Sequence, residues 1–175
     1  MKFGWAVLLL LVGLAVPRVS QAQVAIYGEG TASDLNGGLG NNFLYGGTVG
    51  VLYDGPTILK RAVLSADIQA RDVEQNGERL IGVTVGPRFS FPLKKWKLTP
   101  YGEFNVGFAR YRAANGQPSF STTDDLWQAE MGVSKQLTPR FDVVADFDYS
   151  QYGASNGEYN PKTFSAGVIF HFVKR

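Results

Sequence analysis

A single histidine, His171, stands in the C-terminal stretch TFSAGVIFHF, residues 163–172. Ser165 precedes it, and Asp142 and Asp146 lie on the preceding apolar segment, so a Ser-His-Asp hydrolase can be drawn. Nucleophile and base must touch for that chemistry. Ser165 and His171 are six residues apart, about 20 Å along an extended strand. One histidine without cysteine also speaks against a zinc site. NGGLGNN, residues 36–42, lacks the Lys-Ser/Thr that a phosphate-binding loop needs. The remaining chemistry is ion pairing. Arg88, Glu103, Glu29, Glu130, Asp67, Asp146 and Asp148 all sit inside apolar runs, where a charge must find a partner.

The elements that hold these charges begin after a leader. Lys2, the apolar run Trp5–Val16, the break at Pro17-Arg18 and the small residues Ser20 and Ala22 have the layout of a secretory signal peptide. The run is too short to cross about 30 Å of hydrocarbon. Residues 1–22 are therefore expected to be removed, leaving one domain, residues 23–175, that starts at Gln23. No later stretch approaches the length of a transmembrane helix. With no cysteine there is no disulfide and no thiolate metal site, and no cofactor is expected. Lys2 and Arg18 belong to the leader, so the 17 basic residues fall to 15 and balance the 15 acidic ones. That balance provides no field to attract nucleic acid.

Period-two alternation recurs in eight segments of the mature chain: Val24–Ala32, Phe43–Tyr53, Ala62–Arg71, Arg79–Phe91, Leu98–Arg112, Leu126–Leu137, Phe141–Tyr152 and 163–172. Asp54-Gly55-Pro56, Pro92–Lys97 and Thr138-Pro139-Arg140 read as short turns. Ser33–Asn42, Asp72–Glu78, Ala113–Asp125 and Gly153–Pro161 read as longer polar loops. Short turns at one end and longer loops at the other predict an all-β fold, an eight-stranded antiparallel up-and-down transmembrane barrel.

Residue size and charge decide which parity faces out. One parity gathers Gly46, Gly50, Gly82, Gly86, Gly107, Gly132 and Gly167 with Asp67, Arg88, Glu103, Glu130, Asp146 and Asp148. The other is dense in Phe and Val. An eight-stranded interior is only wide enough for side chains to fill. One Lys or Arg turned to lipid at midplane costs about 2–4 kcal/mol, carboxylates somewhat less. Six such residues would cost roughly 10 kcal/mol or more, a whole domain's stability. The polar parity must face the lumen. Counting from their shared turn, Arg88 and Glu103 should meet at similar depth. Acids outnumber bases there, so some carboxyls should be protonated or bridged by water.

The signal peptide, FLYGGTVGVLYDGP with aromatics at both rims, LTPYGEFNVGFAR and the closing NPKTFSAGVIFHF together resemble the small outer-membrane β-barrels of the OmpA/OmpX type. The single-domain outer membrane protein beta-barrel group is the nearest match. The resemblance covers Val24–Phe172. It implies location in the outer membrane, outer-membrane lipids as surroundings, and barrel assembly machinery as a partner during biogenesis. In similar barrels the last strand, ending in an aromatic residue, is the assembly signal; here Phe172 matches, with Phe170 and Phe164 behind it. Val173-Lys174-Arg175 extends beyond that aromatic residue. The basic turns Lys60-Arg61, Lys94-Lys95-Trp96-Lys97 and Arg140 fall at the periplasmic end, either as a solvated positive ring or in contact with anionic headgroups. The expected function is non-catalytic: a polar, largely side-chain-plugged lumen with a structural or interaction role. A narrow passive channel and a membrane lipid-modifying enzyme stay open as alternatives.

Overall fold

The computed structural model describes residues 23–35, 43–58, 62–113, 120–153 and 160–173. Eight antiparallel strands form a closed barrel in chain order. They are β1 (Gln23–Asp34), β2 (Phe43–Ile58), β3 (Ala62–Gln75), β4 (Glu78–Ser90), β5 (Leu98–Ala113), β6 (Phe120–Gln136), β7 (Phe141–Tyr152) and β8 (Lys162–His171). The closing stretch pairs with β1 from Ala25–His171 to Asp34–Lys162, so neither terminal strand is left as an edge.

Parity fixes the faces as the charge argument requires. Val49, Ile68, Val83, Phe104, Phe108 and Phe164 point outward and are exposed. Asp67, Thr84, Arg88, Glu103, Asn105 and Glu130 point inward and are buried. On β5 the outward positions run Pro100, Gly102, Phe104, Val106 and Phe108 before Arg110 ends the apolar band. That is about nine residues, the span a tilted strand needs to cross a bilayer.

Beyond this band the pattern inverts. The outward positions become Asp72, Glu74, Arg79, Arg110 and Arg112. Arg79 donates to Asp72 through Nε at 2.9 Å and Nη2 at 2.5 Å. Behind this charged wall, Leu35, Leu44, Val73, Leu80, Ala109, Tyr111 and Tyr152 form a buried apolar cluster. This upper part of the barrel has the apolar-inside, charged-outside order of a water-soluble protein.

Three connections differ from the sequence reading. Asp54-Gly55-Pro56 is not a turn; it lies within β2, where the register against β3 shifts between Asp54 and Thr57. A bulge absorbs the proline without ending the strand. Asp72–Glu78 is not a long loop, because Gln75 pairs with Glu78 and leaves only Asn76 and Gly77 to turn. Their φ values of 53° and 81° are those of a two-residue hairpin, for which Asn-Gly is the preferred sequence. β6 begins at Phe120, which shortens the connection after Ala113. In the last two, at the loop end, strand pairing above the apolar band outweighs local composition; the first lies at the opposite end, where Asp54 pairs with Gln23.

A closed ladder without edges resists detergent unfolding. The refolded protein should therefore migrate differently in a gel when unboiled and boiled, and coincident bands would contradict closure.

Candidate functional site

The lumen is organised around Arg88 on β4, which the register places opposite Ser65 of β3 and Glu103 of β5. Arg88 Nε donates to Glu103 Oε2, and Nη2 donates to Asp67 Oδ2 at 2.8 Å. Glu130 Oε1 lies 3.7 Å from Nη2. The guanidinium carbon stands 4.1 Å from the ring centroid of Tyr101 and 5.6 Å from that of Tyr27. Cation–π attraction at such distances adds to the ion pairs in a desolvated site. Only 4% of Arg88 is exposed, so these groups replace its hydration shell.

The two rings are there because their cross-strand partners are glycines. Tyr27 pairs with Gly50 and Tyr101 with Gly132. A Cβ at either glycine would collide with its tyrosine ring. Each ring therefore lies flat over a vacant side-chain position, toward the barrel axis. Tyr27 Oη donates to Asp67 Oδ2 at 3.0 Å. Tyr101 Oη lies 3.2 Å from Asp146 Oδ2 and 3.3 Å from Glu130 Oε1. Gln128 Nε2 donates to Glu130 Oε2 at 2.8 Å, and Gln69 Nε2 reaches Glu103 at 3.3 Å. Asn105 Nδ2 also donates to Glu103.

A second network sits nearer the loop end. Arg71 Nη2 donates to Asp148 Oδ2 at 2.6 Å, Nε to Thr48 at 3.2 Å and Nη1 to Thr163 at 3.3 Å. Ser150 donates to the other Asp148 oxygen at 2.8 Å. The structure thus divides the sequence-chosen charges. Asp67, Glu103 and Glu130 gather at Arg88, whereas Asp148 belongs to Arg71. Asp146 meets Tyr101 and lies beside Glu29. Sequence reasoning missed Arg71, Tyr27 and Tyr101 as members of the site. Their lumen parity was a usable signal: Arg71 stands four residues after Asp67, and each tyrosine stands two residues before a glutamate.

Apolar clusters bracket the polar belt. Ala25, Tyr27, Leu52, Tyr101, Val144 and Ile169 pack at the terminus end, opposite the loop-end cluster. A cavity of about 20 Å³ lies beside Arg71 and against the loop-end cluster, with Gln69, Leu80, Thr84, Ala109 and Gln128 in its lining. That is room for about one water. His171 Nε2 and Asp142 Oδ2 are 3.1 Å apart and buried at the terminus end. Ser165 instead accepts from Thr31 at 3.3 Å. Histidine and aspartate meet, but Ser165 is not their nucleophile.

At the end of β8, Phe170 packs against Phe141 and Phe172, with centroids at 5.1 and 5.3 Å. Phe164 packs on Phe147 at 4.8 Å. Lys94, Lys95, Lys97 and Arg140 are exposed on turns at this end. Lys60 and Arg61 lie outside the described residues.

An apolar belt around a closed barrel with charges inside defines an outer-membrane barrel protein. The chain belongs to the family described as the outer membrane protein beta-barrel domain, whose model matches residues 6–172. Among solved structures it is similar to Neisserial surface protein A, at TM-score 0.62 and 17% identity over 86% of this chain and 97% of that one. It is likewise similar to Ail, the attachment invasion locus protein of Yersinia pestis, at TM-score 0.59 and 15% identity over 86% and 97%. The N-terminal barrel domain of Pseudomonas aeruginosa OprF gives TM-score 0.55 and 18% identity over 87% and 100%. Comparison with curated proteins finds no match. At these identities the likeness concerns the fold, and location in the outer membrane follows from family and fold together.

Removing one partner of a buried ion pair leaves the other charge unsatisfied, at about 3–5 kcal/mol. Arg88→Ala should lower the stability of the folded barrel by that amount, measured by urea unfolding in detergent. An unchanged midpoint would show that the network carries no stability.

Proposed function

We propose that the protein serves the outer membrane without catalysis, as a barrel whose lumen is plugged by its own side chains and whose role is structural or interactive. One observation carries this reading: Arg88, stacked near Tyr27 and Tyr101 and paired with Asp67 and Glu103, fills the waist of the lumen. A channel needs a continuous water path. The apolar clusters at both ends, and a cavity beside Arg71 of about 20 Å³, favour a plug. An enzyme needs converging groups around a substrate-sized pocket, and the buried His171–Asp142 contact offers none. In this reading the leader, residues 1–22, is removed on export, and the lumen charges act on the barrel itself.

Planar-bilayer recording separates the readings. Wild-type protein should insert without discrete conductance steps. Uniform steps from wild type would establish the channel reading instead.

The end of β8 serves assembly. Supporting this, Phe172 is exposed next to Phe170, on the strand that must find β1 to close the barrel. Losing one exposed phenyl should cost folded protein at most a few kcal/mol. Phe172→Ala should therefore reduce the number of heat-modifiable barrels in cells far more than it lowers unfolding stability. Normal assembly of this variant, with failure on deletion of Val173–Arg175, would move the signal to the basic tail.

A further inference from the structure

The terminus end of the barrel carries a second arrangement that the lumen does not explain. Two neighbouring turns, 91–97 between β4 and β5 and 137–140 between β6 and β7, present cations beside large apolar side chains. Lys94, Lys95, Lys97, Lys135 and Arg140 are all exposed, and segments 91–100 and 135–141 contain no acidic residue. Among the described residues none of the five forms an ion pair. Leu93, Trp96, Leu137 and Phe141 stand among them with 41, 63, 58 and 47% of their surface open.

The platform is built rather than loose. Leu93 bridges to Leu98, and Trp96 N donates to Leu93 O at 3.0 Å. Lys97 adopts φ of 55°, a left-handed conformation that glycine or asparagine takes at lower cost. Its carbonyl accepts from Gln136 N at 2.9 Å, which ties the two turns together. The second turn is held by Thr138 Oγ1, which accepts from Arg140 N and Phe141 N at 3.3 and 3.1 Å. Arg140 O accepts from His171 N at 2.8 Å, joining this turn to the end of β8.

We infer that this fixed basic-aromatic platform binds the anionic phospholipid headgroups of the membrane leaflet at the turn end of the barrel. The chemistry follows from position. Leu93, Trp96, Leu137 and Phe141 continue the apolar belt past the strand ends, to the depth where an indole prefers the bilayer interface. A lysine or arginine there lies at phosphate level, with its alkyl stem along the apolar surface and its charge in the headgroups. A soluble polyanion would leave the apolar members in water; a leaflet takes both components. The inference rests on the barrel's being membrane-embedded, but not on whether the lumen is plugged.

The test uses Trp96 as reporter, in full-length mature protein carrying Trp127→Phe, refolded into vesicles. Brominated phosphatidylglycerol and brominated phosphatidylcholine are compared as quenchers at equal mole fraction. Phosphatidylglycerol should quench at least about twofold more strongly, since headgroup attraction enriches it beside the cations. Changing all five cations, by Lys94→Gln, Lys95→Gln, Lys97→Gln, Lys135→Gln and Arg140→Gln, should abolish the preference while gel migration still reports a closed barrel. Equal quenching by both lipids, or a preference that survives the fivefold change, would overturn the inference. So would red-shifted Trp96 emission that neither lipid quenches, because the turn would then stand in water, open to a soluble anionic polymer. Failure to acquire heat-modifiable migration would instead count against the barrel reading.

Discussion

The waist of this barrel depends on a guanidinium that water does not solvate. Arg88 has given up its hydration, and its electrostatic cost in the low-dielectric interior is met by Asp67, Glu103, Glu130 and two tyrosine rings. Those partners come from β1, β3, β5 and β6. One side chain thus requires half of the barrel wall to be in register simultaneously. A slip of one residue in any of these strands would turn a partner toward lipid and leave the cation unpaired. The network specifies pairing as much as it contributes stability.

The tyrosine–glycine pairs show how such a site fits an eight-stranded lumen. Space near the axis is scarce. Gly50 and Gly132 leave two positions empty, and Tyr27 and Tyr101 lie across them from the next strand. Packing and electrostatics are solved together, since each ring fills volume, faces the cation and carries a hydroxyl to the carboxylates.

Much of this was legible in the alternation of residue types. Strand number, closure order and the inward parity of the acids followed from period two and from the cost of charge in lipid. The Arg88–Glu103 contact could be anticipated because both residues were counted from one short turn. What escaped was set by contacts remote in sequence. Arg71 reaches Asp148 across 77 residues, a distance no local count spans. The long upper ladders of β3–β6 were hidden because polar residues there read as loop, when they were the outer face of strands. Leu44, Val73 and Leu80 lie on the inward parity yet are apolar, since the direction of the hydrophobic pattern reverses where the bilayer ends.

That reversal divides one continuous sheet between two solvents. The charged wall of Asp72 and Arg79, with Val73 and Leu80 behind it, is a small water-soluble barrel standing on a membrane one. Apolar burial from water raises the heat capacity of unfolding, whereas side chains facing lipid tails gain no hydrophobic driving force. The calorimetric signature of an ordinary protein core therefore resides in the upper storey and in the interior cluster at the terminus end, not in the lipid-facing belt. The belt in the bilayer takes its cohesion chiefly from backbone ladders and buried charge, and its stability should vary with temperature along a flatter curve.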